Sequence, residues 1–451
     1  LSYCDDILHK ARILNLDECE VVSIQKKIST VRITDSEIAE MKQNEDHSIA
    51  IRIIDEKKIM SGKASPSQIE NILDKILQTK SYLSPKDFWK SLPHASKFTN
   101  LERTYDSKLD GISGTKIIDM ANEMINSATH KDIERISGSL NVVSDHFQIM
   151  NSNGLDCSDD STYISGTINA DSEIGSTPVS GVGAICSRTL DNFSPDQIGR
   201  DATEMCIGSI NPKHIEQDSY SIIFEPYAFG ELLAFVVASN FNLKTYAEKR
   251  SCFSDNMGAK ISSEGFSLVD DPHIPDGIGS KPFDDEGNAT VPQFLIKNGI
   301  FSNLFSDSFD AFKEGTSPSG NAIRQGSPMG RSSQPNPVSL PHNLRVVDGE
   351  MSKDEIVNDT KHGLLVGRLW YTYPVNPEHG DFSCTTRSGI RIIEDGKISS
   401  PGKSVRIVHN LKTLLKNISA IGMDSKNVLQ WSALPAITPS VRVDRVGVNP
   451  I

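Results

Sequence analysis

Apolar and polar positions alternate with period two over several stretches of the first half of the chain. Glu20-Val21-Val22-Ser23-Ile24-Gln25, Ser29-Thr30-Val31-Arg32-Ile33 and Ser48-Ile49-Ala50-Ile51-Arg52-Ile53-Ile54 read as strands that follow a short opening helix. Ser65-Pro66-Ser67-Gln68 predicts a helix start, with Ser as cap, Pro at the first helical position and Gln reaching back to the cap. Ile69, Ile72, Leu73, Ile76 and Leu77 then recur at helical spacing, as do Ile118, Ala121, Met124, Ile125 and Ala128 in a second helix from Thr115 to Ala128. Between Ile136 and Ala170 the alternation returns, broken at Asn151-Ser152-Asn153-Gly154, a hairpin-type turn. Ser194-Pro195-Asp196-Gln197 repeats the helix-start device, with Ile198, Ala202, Met205 and Cys206 on the inner face.

The second half reads as strand and loop, dense in Gly and Pro from Pro272 to Pro341. A helix is predicted from Tyr227 to Asn240 and another from Leu411 to Ile421. Strands are predicted at Tyr220 to Phe224, around Val346, at Leu364 to Tyr373, Gly389 to Glu394, around Val405 and at Ser440 to Val448. A chain of 451 residues exceeds the size at which one core usually splits. The change of pattern at Ile210-Asn211-Pro212-Lys213 puts the boundary near residue 212, giving an N-terminal α+β domain (1–212) and a C-terminal β-rich domain (213–451). The fold class expected is α+β.

Composition narrows the partners. Hydrophobic residues make up 37% and charged residues 23%, as in ordinary folded domains. The formal net charge of −13 and the lack of any basic run exclude nucleic acid as the expected partner. The longest apolar run, Leu232 to Ala238, is far too short to span a membrane. Leu1-Ser2-Tyr3-Cys4-Asp5-Asp6 has neither a basic nor an apolar leader pattern, so no secretion signal is expected, and the lack of an initiator Met suggests that a few residues precede it. The seven cysteines are scattered, with no Cys-x-x-Cys pair, which argues against a disulfide framework and a thiolate zinc site. A cytoplasmic, reducing location is the simpler reading.

Several blocks occur in an order that carries a resemblance. They are Leu268-Val269-Asp270-Asp271-Pro272 with Gly279-Ser280-Lys281-Pro282-Phe283-Asp284-Asp285-Glu286-Gly287, then Gln293 to Ile300, then Ser319-Gly320-Asn321-Ala322-Ile323-Arg324. Asn376-Pro377 with Gly380-Asp381-Phe382-Ser383, Ile393 to Ile398, the segment Leu415 to Gly422, and the meander Ile136 to Thr167 complete the set. Together they resemble the TldD/PmbA family of peptidase-related proteins, once called modulators of DNA gyrase, over nearly the whole chain. The resemblance implies an α+β N-terminal domain, a C-terminal domain built on a long curved antiparallel sheet, and two subunits enclosing a cavity. It also implies peptide trimming and degradation of unfolded proteins. TldD-type subunits carry a His-Glu-x-x-x-His helix and a late Cys as zinc ligands, whereas PmbA-type (TldE) subunits lack them.

A helix-borne zinc site needs two imidazoles about one turn apart and a carboxylate to activate water. The matching stretch here is Phe224-Glu225-Pro226-Tyr227-Ala228-Phe229-Gly230-Glu231-Leu232. Pro226 and Glu231 stand at the ligand positions, Tyr227 at that of the catalytic Glu, and the tail from Met423 holds no Cys. Glu225-Pro226 is itself similar to the PmbA side. No two of the eleven histidines lie four or five residues apart. No metal or other cofactor is therefore expected in this chain, zinc being left to a TldD-like partner, and Glu231 reads as a solvated or cavity-lining carboxylate.

Other candidates are weaker. His379 and Cys384 are close enough in sequence for a thiol–imidazole pair, though a packed strand cysteine is the blander explanation. Glu225, Glu231, His379 and Cys384 are thus the candidate catalytic residues. Asp270, Asp271, Asp284, Asp285 and Glu286 read as turn carboxylates capping backbone N–H groups rather than a cation site. Gly181-Val182-Gly183 and Gly277-Ile278-Gly279 lack a nucleotide-binding frame, and the loop Ser317 to Pro341, with Arg324 and Arg331, reads as solvated. The leading expectation is a non-catalytic, peptide-handling subunit working with a TldD-like partner. The rivals are an independent peptidase using Cys384 or an intersubunit metal, and a homodimer that binds peptides without cleaving them. Strands such as Arg368 to Tyr373, apolar on more than one face, add the expectation of a dimer through the C-terminal domain, homomeric or heteromeric, burying more than about 2,000 Å².

Overall fold

The computed structural model describes residues 3–430 and 434–451. Leu1 and Ser2, included in the predicted opening helix, lie outside the described residues. The N-terminal region is built on an antiparallel six-stranded sheet in the order β3-β2-β1-β4-β5-β6. Its strands are β1 (Glu18–Thr34), β2 (Glu37–Asp55), β3 (Lys58–Ala64), β4 (Arg135–Asn151), β5 (Asp156–Ser172) and β6 (Val179–Ser187). The two short strands expected within 20–33 are one 17-residue strand, and the strand expected at 48–54 begins at Glu37. The polar stretches that hide this are paired residue by residue, Gln25 with His47 and Thr30 with Lys42. Strand pairing overrides a weak local pattern there.

Period two gives each strand a back and a front face. At one end the back face packs against α1 (Tyr3–Ile13) and α2 (Ile72–Leu77) through Val21, Ile49, Ile51 and Ile53. At the other end it packs against α4 (Gly114–Ala128) and α5 (Pro195–Ile207) through Val31, Leu140, Ile164 and Ile168, while the single turn α3 (Ser107–Asp110) adds Leu109. In α4 the buried stripe runs through Ile117 and Met120 rather than Ile118. Of the predicted caps, Ser65 and Ser194 are in extended conformation before Pro but make no side-chain capping bond. The first device opens a 3₁₀ turn, Pro66–Asn71, ahead of α2. Gly183 is required by close approach rather than by a ligand: a Cβ there would sit 1.9 Å from the Ile198 carbonyl oxygen of α5.

Among the described residues the C-terminal region carries a nine-stranded sheet and a second, six-stranded sheet. The larger one runs from edge strand Arg368–Asn376 through Asp381–Ser388, Val405–Asn410 and Val441–Pro450 to Ser219–Phe224, then His362–Val366 and the hairpin Arg391–Glu394/Lys397–Pro401. It is antiparallel except where Ser219–Phe224 runs parallel to His362–Val366, because well over a hundred residues separate the two and a crossover can join parallel strands. The longest antiparallel strands of the molecule lie instead in the N-terminal sheet. The helix expected from Leu411 to Ile421 stops at Lys416, and Ile418–Ile421 forms a strand against Val441–Val443. The region also holds short helices the pattern did not predict, Leu243–Ala247, Ser308–Lys313 and Lys353–Asn358. No helix among the described residues is long and apolar enough to cross a membrane.

Candidate functional site

The front face of the N-terminal sheet packs against the C-terminal region and can be read row by row from the strand register. Nearest the β4–β5 hairpin, Glu20 lies opposite Arg52 and Val22 opposite Ile149. Next come Ile24 with Phe147, Lys26 with Asp145, and Ile28 with Val143 and Tyr163. These rows are sealed by the segment 270–343. Arg52 bridges Glu20 (2.7 Å) and Glu286 (2.6 Å), and Arg324 donates to Glu20 (2.5 Å). Arg331, with no exposed side-chain surface, donates to Asp159 (2.5 Å) and Asp285 (2.8 Å), and Asp285 also pairs with Lys281 (2.9 Å). Lys26 donates to the carbonyls of Met329 and Arg331 (2.5 and 2.9 Å).

This arrangement revises one expectation and adds to another. Arg324 and Arg331 sit in a loop that reads as solvated, yet both are buried. Of the acidic residues, Asp284 and Asp270 do cap backbone: Asp284 accepts from the N–H groups of Glu286, Asn288 and Ala322, and Asp270 from those of His342 and Asn343. Asp285 and Glu286 cap backbone as well, accepting from the N–H groups of Arg324 and Ser308, and they also hold ion pairs: Glu286 reaches across to Arg52, and Asp285 holds Arg331, which in turn meets Asp159. Gly279, read as half of a weak glycine pair, lies where a Cβ would meet the His342 carbonyl oxygen at 1.9 Å, so it serves close packing.

Further along the same strands the cover ends. Thr30, Asn141 and Ser165 form one row, Arg32, Ser139 and Thr167 the next, Ser137 and Asn169 the last. Their side chains floor a cavity of about 980 Å³ between the sheet and the C-terminal region, except that Thr30 borders a neighbouring cavity of about 590 Å³. The opposite wall is formed by Tyr227, Arg368, the segment Gln325–Pro328 and the segment Asn427–Gln430. Tyr227 belongs to α6 (Pro226–Leu232), which starts where strand Ser219–Phe224 ends, with Glu225 at the cap and Pro226 at the first position. The helix runs on through a π turn, Leu233–Val237, and a 3₁₀ turn, Ala238–Phe241, so the expected 227–240 helix is present with an irregular second half.

The four candidate residues do not converge. Glu225 accepts from Lys353 (2.8 Å) beside a second cavity of about 340 Å³. Glu231 is 4% exposed and lines neither of these cavities, so it is not the solvated or cavity-lining group expected. Thr372 donates to its Oε1 (2.9 Å), its Oε2 has no partner, and burial raises its pKa. Cys384 is buried on strand Asp381–Ser388, and burial, with Glu231 nearby, pushes its thiol up. His379 lies on an exposed turn, bonded to Asn376 (3.0 Å). A thiolate nucleophile needs the reverse of this environment.

As a zinc-binding helix, α6 offers Pro226, which has no side-chain donor, Tyr227, whose phenol burial pushes up to about 12, and the single carboxylate of Glu231. Among the described residues no three His, Cys, Asp or Glu side chains converge in a metal-ligand arrangement. This donor set does not fit a two-imidazole site. Arg32, Arg368, Gln430 and the polar floor were not singled out from the sequence. A signal was there: positions 137, 139 and 141, and 165, 167 and 169, are Ser, Thr or Asn on the strand face that is Val, Phe, Ile or Tyr a few residues away.

Comparison with known proteins assigns this α+β fold to a family of metallopeptidase-related proteins. Residues 217–450 match the PmbA/TldA metallopeptidase C-terminal domain, and residues 107–209 the central domain. The chain belongs to the PmbA/TldD family. A metalloprotease of Methanothermobacter thermautotrophicus is 28% identical over 235 residues, 52% of this chain and 50% of that protein. Metalloprotease PmbA of Escherichia coli O157:H7 is 24% identical over 250 residues, 55% and 52%. The matched stretch thus spans about half the length of these curated relatives. The crystal structure of TldE from Thermococcus kodakarensis superposes with a TM-score of 0.90 at 21% identity, covering 99% of this chain and 100% of that one, which shows the shared fold.

Proposed function

We propose that this chain is a PmbA/TldE-like subunit of a TldD/PmbA-type metallopeptidase system, handling peptides and unfolded segments while a TldD-like partner supplies the zinc. The observation that carries the reading is α6: the helix stands at the wall of the large cavity with Pro226, Tyr227 and Glu231 in place of metal donors. Its cavity floor is a sheet face of hydroxyl and amide side chains suited to the polar backbone of an extended peptide. Dimerisation through the C-terminal region is part of the reading. Tyr371, Tyr373 and Val375 on edge strand Arg368–Asn376, and Val408 two strands in, are exposed apolar positions that a second subunit, alike or unlike, would cover. We place the protein in the cytoplasm, a setting that suits seven unpaired, buried cysteines.

The test is metal analysis and peptide cleavage on the purified chain, alone and with a TldD-like subunit. The isolated chain is expected to hold no stoichiometric zinc and to cleave nothing, and the mixed assembly to cleave. One zinc per chain that disappears in Glu231→Ala would overturn the reading, as would cleavage by the pure chain that a thiol blocker abolishes.

A further inference from the structure

The cavity has a charge character of its own. In a chain of net charge −13, none of the described residues lining it is acidic, and Arg32 and Arg368 stand on its walls. Arg368 is held in place: Asn169 on the floor accepts from its Nη1 (2.7 Å), and the Trp370 ring lies 5.1 Å from its guanidinium carbon. The carboxylates whose fields reach Arg368, Glu231 and Asp171, lie off the cavity wall, and Arg387 adds a further positive charge nearby. Arg32 is exposed at the other end of the floor, shared with the neighbouring cavity.

A second observation separates a peptide from a bare anion. Gln430 lines the cavity, is 4% exposed, and its Oε1 has no partner. Its amide orientation is set, because Nε2 donates to the Tyr227 carbonyl (2.8 Å). An unpaired buried acceptor is costly, and a hydrogen-bond donor satisfies it; a peptide backbone carries an N–H at almost every residue, whereas a fully ionised anion such as sulfate carries no donor. Guanidinium groups match carboxylates in geometry and charge. The three floor rows from Ser137 to Asn141 extend over about 13 Å, the length of about four residues of extended chain.

We propose that this cavity selects peptide segments carrying carboxylates, with Arg32 and Arg368 reading the carboxylate and Gln430 accepting from a peptide N–H. The proposal rests on the peptide-handling reading and names its substrate class: an acidic side chain or a free C-terminus.

Fluorescence anisotropy on the full chain, alone and with a TldD-like subunit, tests it with three labelled peptides of equal length. One is amidated and uncharged, one is amidated and carries two Glu, and one is uncharged with a free C-terminus. At low salt one or both carboxylate peptides are expected to bind about tenfold or more tightly than the uncharged one. Which of them does so identifies the source. Arg32→Gln, at an exposed position where folding is spared, and Arg368→Gln are each expected to cut that preference severalfold, and Gln430→Leu to weaken all three peptides alike. Equal binding of all three peptides sinks the carboxylate proposal and leaves the peptide-handling reading standing. Displacement of the peptides by sulfate, an anion without a donor, at comparable concentration sinks the role of Gln430. No binding of any peptide, with no cleavage by the mixed assembly, sinks both readings.

Discussion

At the hairpin end of the N-terminal sheet, the front face carries Glu20, Arg52, Lys26 and Asp145, each locked to a group in the segment 270–343 or to a cross-strand neighbour. At the opposite end the same strands carry Ser137, Ser139, Asn141, Ser165, Thr167 and Asn169 against open cavity. The sealed end sets these charges among apolar side chains, Val22, Ile24, Phe147 and Ile149, whereas the open end is hydroxyl and amide, and the two ends differ also in what faces them. Buried charges need partners of opposite sign at hydrogen-bond distance, so the charged end dictates a tight interface. Uncharged hydroxyls and amides tolerate water or a ligand, so the other end can stay open. The strands that hold the two regions together are therefore also the strands that present the cavity floor, and rigidity at one end positions the other.

The largest expected effect breaks the sealed end. Arg331→Met leaves Asp159 and Asp285 without their guanidinium partner and should cost about 3–5 kcal/mol of stability, read from chemical unfolding. A loss under about 1 kcal/mol would mean that the network contributes little to joining the regions.

A pH series is expected to act on the same end. Burial raises Asp270 to about 7, and burial together with Glu286 raises Asp284 and Asp307. The folded chain then keeps protons that the unfolded chain releases near pH 4, so the stability tied to these protons is lost as pH rises through about 7. His342, pulled down to about 3 by burial, works the other way but only below about pH 6.5, where the unfolded chain takes up its proton first. From about pH 6.5 to about pH 8.5 the thermal midpoint should therefore fall, and a rising midpoint over that window would contradict the carboxyl assignment.

The smallest effect belongs to the open end. Ser139→Ala removes a half-buried hydroxyl from the cavity floor and should change stability by no more than about 0.5 kcal/mol. A loss comparable to that of Arg331→Met would show that the floor is a structural interface like the rest of the sheet.

Much of this was legible in the residues. The hairpin at Asn151 to Gly154 follows from local chemistry: the Asn151 side chain accepts from the N–H groups of Asn153 and Leu155, and Gly154 takes a positive φ. The replacement of metal donors in α6 is equally a matter of residue identity. The strand lengths were less legible, because the first half of β2, from Glu37 to His47, is charged on both faces and becomes a strand only by pairing with β1. The second half of the predicted 411–421 helix went the same way: the Ile418 to Ile421 pattern suits either state, and the adjacent strand Val441–Pro450 decides.

What the sequence determined by itself was periodicity, turn chemistry and the inventory of side chains, since each is settled within a few residues. What only the tertiary structure decided was which charges are buried and where packing stops. Glu20 meets Arg324, and Lys26 meets Arg331, across some three hundred residues of chain. No local feature distinguishes those arginines from solvated ones in a loop rich in Ser, Pro and Gly. The cavity likewise exists because segment 270–343 covers some rows of the sheet and not others, a boundary set by three-dimensional fit between distant parts of the chain.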